Sequence, residues 1–286
     1  MRWRAVPRWR ALRYYVYGER DSQVRIGIIS DLHANYVALR TVLDEMGTVD
    51  QLWCLGDLVG YGPQPNECVQ AVREHGHLCI PGNHDWGMLG RLDALDFNRD
   101  ARIVLDWTQR NLSPENLEYM ENLPVTLKAF GQAFTLVHAS PRDPMWEYLI
   151  DLFDAAECFP LFDTRYCLVG HTHVPIIFRD VEGVVKAALP EPGEGMLLNV
   201  WPKVESLENP GGARMIVNPG SVGQPRDGDP RASYMVLDIP PGAGPEGDWK
   251  AVLTFHRVEY AVAEVQEIMK GLNFPPRLIQ RLELGL

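Results

Sequence analysis

Five short β-rich runs in this chain each stop at a polar motif, and that repetition restricts the fold to one that gathers several strand ends. Val24-Arg25-Ile26-Gly27-Ile28-Ile29 runs into Ser30-Asp31-Leu32-His33, and residues 51–55 run into Gly56-Asp57. Residues 78–80 lead to Pro81-Gly82-Asn83-His84-Asp85, residues 133–137 to His138, and residues 166–169 to Gly170-His171-Thr172-His173. A sixth motif, Asn218-Pro219-Gly220-Ser221, follows the apolar run 215–217. Short apolar runs of this kind suit buried strands, and in an α/β sheet the loops beyond the strand ends carry the chemistry.

Helical periodicity fills the intervals. Asn35 is placed to cap a helix whose Leu39, Val42, Leu43 and Met46 share a face, with Gly47 at its end. A second helix is expected over 67–75. Residues 86–123 read as helical, with Ile103, Val104, Trp107 and Leu112 on one face and Ser113-Pro114 opening another helix. Such a block is either a lid near the site or ordinary packing on a sheet edge. After Pro175 the chain turns β-rich, with strands expected at 176–179, 184–186, 196–201, 215–217, 233–238 and 251–257. Turns are expected at 191–195 and 209–212 and a loop at 240–247. Val262, Val265, Ile268 and Met269 form a last helical face, and another helix follows Pro275-Pro276. Two facing β-sheets account for this order.

The motifs supply Asp31, His33, Asp57, Asn83, His138, His171 and His173, all oxygen or imidazole-nitrogen donors, the set that suits borderline-hard divalent metals. They are too many for one ion. Two ions sharing a bridging carboxylate sit about 3.5–4 Å apart, an arrangement that clamps the attacking and leaving oxygens of a phosphoryl displacement. A purely structural role would bury several Asp, Asn and His side chains together without compensation. His75, His77 and His256 lie outside the motifs and read as surface or packing residues, and Cys54 as a small core hydrophobe.

The net charge of −11 disfavours general nucleic-acid binding, which depends on clustered Lys and Arg. The five cysteines are odd in number and lack C-x-x-C spacing, arguing against a disulfide framework or zinc ribbon and for a reducing cytoplasm. No apolar run approaches the roughly 20 residues of a membrane helix. The first 25 residues run against the charge balance: seven arginines outweigh Glu19 and Asp21, giving +5 there and −16 elsewhere. Interleaved with Trp3, Trp9, Tyr14, Tyr15 and Tyr17, this segment reads as an extension or arm, with a membrane surface or RNA as the alternative partner. The expected organisation is a basic, aromatic extension over 1–23 and one α/β domain over 24–286.

In their order, these motifs closely resemble the calcineurin-like metallophosphoesterase superfamily, whose pattern is D-x-H, G-D, G-N-H, H and G-H-x-H. The likeness covers about residues 24–260. Ser30-Asp31-Leu32-His33-Ala34-Asn35 and Asn218-Pro219-Gly220-Ser221-Val222-Gly223 look like the compact bacterial and archaeal phosphodiesterases and the related diadenosine-tetraphosphate hydrolases. The resemblance implies a four-layer α-β-β-α sandwich, with two packed mixed β-sheets flanked by helices. It also implies one ion held by Asp31, His33, Asp57 and His173 and another by Asp57, Asn83, His138 and His171, with Asp57 bridging. Mn2+ or Fe2+ are the first expectations, and Zn2+, Co2+ or Ni2+ the alternatives.

By the same resemblance, a metal-bridging hydroxide attacks a phosphodiester or phosphoanhydride bond of a small nucleotide. His84 is then the proton donor or transition-state contact for the leaving oxygen, and Asn218 begins a loop that supports the metal site. The superfamily's protein phosphatases continue G-D-x-x-D-R-G, whereas this chain reads Gly56-Asp57-Leu58-Val59-Gly60-Tyr61-Gly62, without the Asp and the phosphate-binding Arg. Arg226 is the candidate replacement for that clamp, its alternative reading being a solvated hairpin residue. The competing functions are a phosphomonoesterase or serine/threonine protein phosphatase, and a catalytically silent interaction scaffold of the same fold.

Overall fold

The computed structural model describes residues 22–75, 78–199, 213–242 and 250–286. The expected N-terminal extension lies outside them except for its last two residues. The turn at 209–212, the last two residues of the strand expected at 196–201 and most of the 240–247 loop lie outside them as well.

Twelve strands are present among the described residues: β1 (Val24–Ile29), β2 (Gln51–Cys54), β3 (Leu78–Cys79), β4 (Thr126–Ala129), β5 (Phe134–Val137), β6 (Tyr166–Leu168), β7 (Pro175–Val181), β8 (Val184–Ala188), β9 (Gly195–Asn199), β10 (Arg214–Pro219), β11 (Ala232–Ile239) and β12 (Lys250–Val258). They form two six-stranded sheets, ordered β3-β2-β1-β11-β12-β9 and β4-β5-β6-β10-β7-β8. Both are mixed. β1, β2 and β3 are parallel neighbours in the first sheet, as are β5, β6 and β10 in the second, while β1 pairs antiparallel with β11 and β10 with β7.

The sheets face each other across a core in which Ile26, Ile28, Trp53 and Leu55 of one meet Phe134, Leu136, Tyr166 and Leu168 of the other. The Trp53 and Phe134 rings stand edge to face at 5.5 Å, and burying large side chains of this kind stabilises the fold by about 1.5–3 kcal/mol each.

Helices cover the outer faces. α1 (Tyr36–Met46), α2 (Pro65–His75), α3 (Asn83–Met88), α4 (Arg99–Asn111) and α5 (Pro114–Glu121) precede β4, α6 (Leu152–Cys158) lies between β5 and β6, and α7 (Val262–Gly271) and α8 (Pro276–Leu284) end the chain. Leu39 and Val42 of α1, Val69 and Val72 of α2, Val104 and Leu105 of α4, Val265 of α7 and Leu278 of α8 share one core with Ile29, Tyr234 and Val236. Ala155 and Cys158 of α6 pack on Val137, Cys167 and Ile216 of the second sheet. The layers are therefore α-β-β-α. The helical block after Trp86 is mainly part of the outer layer, since the buried face of α4, Ala101, Val104, Leu105 and Thr108, points into that core.

Asn35 caps α1 as expected, its Oδ1 accepting from Ala38 N at 3.1 Å, a contact of about 1 kcal/mol. Its Nδ2 also donates to Gly223 O at 2.9 Å, which ties the start of α1 to the loop after β10. All five cysteines are buried and free. Among the described residues no helix is long and apolar enough to cross a membrane.

Candidate metal centre

Every motif lies just past the end of a parallel strand or at its last residues: Asp31 and His33 after β1, Asp57 after β2, Asn83 after β3, His138 after β5, His171 and His173 after β6, and Asn218 within the end of β10. Because the sheets face each other, these ends converge. Possible ligand atoms of Asp31, His33, Asp57 and His173 lie within 4.8 Å of one another, and so do those of Asp57, His138 and His171. Asp57 belongs to both groups, and all six residues are buried.

Residues two apart on an extended segment share one side, which would place Asp31 with His33 and His171 with His173. Instead Asp31 (φ 53°), His33 (45°), Ala34 (52°), Asp57 (52°), His171 (66°) and His173 (62°) all adopt the left-handed conformation. Non-glycine residues reach it at a cost of order 1–3 kcal/mol each, and only where surrounding contacts enforce it. Here Asp31 N donates to Gly56 O (3.0 Å), His33 N to Asp57 O (2.9 Å) and Ala34 N to Leu58 O (2.9 Å), lacing the first ligand loop to the second. The third side of the lacing is Gly223 N to Asp31 O at 3.0 Å. A Cβ on Gly223 would stand 1.8 Å from Leu32 O, so only glycine allows this approach.

Hydrogen bonds also set the ring orientations. His33 Nδ1 lies 3.1 Å from Val59 O, His138 Nδ1 2.7 Å from Leu55 O and His173 Nδ1 2.5 Å from Gln224 O. A ring nitrogen facing a carbonyl carries the proton, which leaves Nε2 as the lone-pair donor of each ring in its neutral form. His171 is reversed: its Nε2 donates to Trp146 O at 3.2 Å, so its Nδ1 is the free donor, and its backbone N–H reaches the Asp31 carboxylate at 3.1 Å.

Two observations test whether these residues suit bound cations. His33 Nε2 and His173 Nε2 face each other at 3.0 Å, and with both protons on Nδ1 this sets two lone pairs together. Asp57 Oδ2, Asn83 Oδ1 and His138 Nε2 are buried without any hydrogen-bond partner. Native proteins rarely leave so many buried polar atoms unsatisfied in one place. Divalent cations answer both features, and the donor set fits them.

Charge balance points the same way. Burial drives the His33 and His173 imidazoles well below their ordinary range and lowers His171 to about 3, so all three are neutral ligands at pH 7. Burial lowers His84 to about 4, with the Asp57 carboxylate opposing and Arg226 reinforcing. At Asp57 burial favours the acid, yet His138 and His84 outweigh it and hold the carboxyl well below the usual carboxylate range. Burial likewise disfavours a charged His138, but the Asp57 carboxylate, 3.5 Å from its Nε2, raises it to about 10. Burial raises Asp31 to about 7 despite His138. A divalent ion would displace the protons on His138 and Asp31.

The calcineurin-like phosphoesterase superfamily domain matches residues 24–241 of this chain. The chain belongs to that superfamily. It is 36% identical over 267 residues to the uncharacterized protein MJ0912 of Methanocaldococcus jannaschii, covering 91% of this chain and 98% of that one. The crystal structure of a metallophosphoesterase from Sphaerobacter thermophilus superposes with a TM-score of 0.76 at 45% identity, covering 92% of this chain and 100% of the other. The symmetrical bis(5'-nucleosyl)-tetraphosphatase of Erwinia tasmaniensis is more distant, 27% identical over 125 residues that span 42% of this chain and 45% of that enzyme. The chain is thus a metallophosphoesterase-family protein with a buried His/Asp cluster suited to two metal ions.

The other candidate residues surround this cluster. Asn83 is the first residue of α3, whose entry is fixed by Asp85: its carboxylate accepts from Gly82 N at 2.9 Å and Val59 N at 3.1 Å. His84 N donates to Asp57 Oδ1 at 2.9 Å, which holds the bridging candidate and the candidate donor in one register. Asn218 Nδ2 donates to Gly170 O (2.6 Å) and Thr172 Oγ1 (3.0 Å), so it braces the loop that carries His171 and His173. Arg226 is half-buried, not a solvated hairpin residue, and its guanidinium carbon lies 5.7 Å from the Tyr61 ring centre.

Sequence reasoning missed the wall around the mouth. Tyr61 packs on both His33 (4.7 Å) and His84 (4.3 Å), Phe97 bridges His84 (5.2 Å) and Trp146 (4.9 Å), and Tyr148 lies 4.0 Å from the His171 ring. Only Tyr61 carried a signal, being set between two glycines directly after the Asp57 motif.

Proposed function

We propose that this chain uses two divalent metal ions to hydrolyse phosphodiester or phosphoanhydride bonds of small nucleotides. The observation that supports this reading is the position of Asp57: its unpartnered Oδ2 stands 3.5 Å from both His33 Nε2 and His138 Nε2, at the junction of the two ligand groups. Asp31, His33, Asp57 and His173 would hold one ion, and Asp57, Asn83, His138 and His171 the other. When bound, the pair supplies Lewis-acid stabilisation of the phosphoryl oxygens and ionises an attacking water near neutral pH.

The protein side chains do the rest. With only Asp31 and Asp57 as anionic ligands, two divalent ions leave the site cationic and attractive to a phosphate ester. Arg226 adds a permanent positive charge at the mouth, strong enough to act on Asp31, His33, His84 and His173. The neutral His84 ring, fixed by its backbone bond to Asp57, donates a hydrogen bond to the leaving oxygen and stabilises the negative charge that develops there. The aromatic wall of Tyr61, Phe97, Trp146 and Tyr148 suits a nucleoside leaving group.

A phosphate-release screen tests the reading. Protein stripped of metal and reloaded separately with Mn2+, Fe2+, Co2+, Ni2+ or Zn2+ is assayed on dinucleoside polyphosphates, cyclic nucleotides, bis(p-nitrophenyl) phosphate, monoesters and phosphopeptides. Metal-dependent turnover of nucleotide diesters or anhydrides above monoesters and phosphopeptides is expected. Preference for phosphopeptides, or inactivity on every ester with every metal, overturns the assignment.

A further inference from the structure

The last helix contributes an arginine that belongs to no recognised motif. Arg281 of α8 is half-buried, and its guanidinium carbon lies 5.7 Å from the centre of the Tyr61 ring, the same separation as that of Arg226. Two guanidinium groups therefore converge on one aromatic ring that itself packs on His33 and His84.

Neither arginine meets a carboxylate side chain there. Arg226 donates to Gln224 Oε1 at 3.2 Å and keeps a buried Nε without a partner, while Arg281 Nε donates to the main-chain oxygen of Leu286. This contrasts with the neighbouring arginines, since Arg231 is paired with Asp229 and Arg257 with Asp227. Burial, reinforced by the proximity of Arg226, lowers Arg281 to about 10.

The convergence is enforced by backbone contacts. Gly285, which ends α8 in a left-handed turn (φ 63°), accepts at its carbonyl from Gly228 N at 3.0 Å, and a Cβ on it would stand 2.7 Å from the Asp229 backbone. The end of α8 is thus fastened to the loop that carries Arg226.

We propose that Arg281 and Arg226 form an anion subsite at the mouth of the metal centre that takes the second phosphate of a substrate whose scissile phosphate lies on the metals. This rests on the phosphoesterase reading above and narrows it to substrates with linked phosphates, the phosphoanhydrides. A simple phosphodiester has only one phosphate and presents no second anion to Arg281. Linked phosphates present a second anion next to the first, and guanidinium groups match such oxygens with paired, charge-assisted hydrogen bonds.

Binding of two phosphonates separates this from the hydrolytic reading, because no phosphoester bond is present to be cleaved. Methylenediphosphonate and methylphosphonate are titrated calorimetrically into the full chain at fixed free Mn2+. Arg281→Ala should weaken methylenediphosphonate by about 10–100-fold, the scale of losing charge-assisted bonds, and methylphosphonate several-fold less. Arg281→Lys should recover part of the loss. Equal weakening of both probes, or none, overturns the subsite. Metal stoichiometry and urea midpoint are read on each variant, and should Arg281→Ala lose its metals, Arg281→Gln reads the same ratio. An inactive protein with Arg281-dependent diphosphonate binding defeats only the hydrolytic reading, and an active one without that dependence defeats only the subsite.

Discussion

Replacing Asp57 with Asn is the most informative single change. The substitution keeps the shape and keeps an oxygen to accept from His84 N, now at 2.9 Å from Oδ1, so the loop geometry should survive. What it removes is one negative charge common to both ligand groups. A unit pair about 4 Å apart interacts by about 4 kcal/mol at an effective dielectric of 20, so a divalent ion loses about 8 kcal/mol of attraction. The carboxylate is buried with and without metal, so its desolvation cancels, but in the metal-free protein it attracts protonated His138 across 3.5 Å, which offsets about 4 kcal/mol for the ion that displaces that proton. About 4 kcal/mol then remains for that ion, or about 10³-fold in Kd, and more for the other. Isothermal titration of metal-stripped protein with Mn2+, with bound metal counted by elemental analysis, should show both ions lost together. His171→Ala, in contrast, should weaken only one. An Asp57→Asn protein that retains one ion at unchanged affinity would refute the shared-ligand reasoning.

Three further outcomes follow from the same geometry. His84→Ala should retain two metals while turnover falls by about 10²–10³-fold on a nucleoside leaving group and by less on a p-nitrophenyl ester, whose less basic leaving oxygen gains less from a hydrogen bond; equal losses on both would remove His84 from the leaving group. Metal binding should release protons, about one at pH 8, where His138 (about 10) is protonated and Asp31 (about 7) mostly ionised, and about two at pH 6, where both hold protons. Calorimetry in buffers of different ionisation enthalpy reads that count, and metal affinity must fall as pH falls; a pH-independent count contradicts the assignment of these two residues. Gly223→Ala drives a Cβ into Leu32 O and should destabilise the metal-free protein by about 1–3 kcal/mol in urea while weakening metal binding, whereas an unchanged midpoint would mean the ligand loop yields freely.

Much of the fold was legible because it repeats one signal. β1, β2, β5 and β6 are short, buried and apolar, and each ends at a ligand, so the sequence pattern and the burial pattern coincide. The helix after Asn35 was equally plain from its cap and its apolar face. β4 was not, since Thr126-Leu127-Lys128-Ala129 alternates over only four residues, too short a run to stand out, and the seven-residue α6 is too short for a periodicity. The left-handed backbone at five metal-ligand candidates was invisible because long-range hydrogen bonds between loops impose it. Arg281 was invisible for a related reason: on an amphipathic helix a single arginine reads as a solvated residue, and only the docking of Gly285 on Asp229 shows where it goes.

The lacing of ligand loops across distant parts of the chain governs when the centre can first exist. The backbone of His171 is bonded to Asp31 across 140 positions, and Asn35 to Gly223 across 188. A ribosome that has finished the first sheet-forming segment has produced Asp31, His33 and Asp57, but none of the imidazoles at 138, 171 and 173. A nascent chain therefore has no complete pocket for either ion until His171 and His173 have followed Asp31 and Asp57 out of the ribosome.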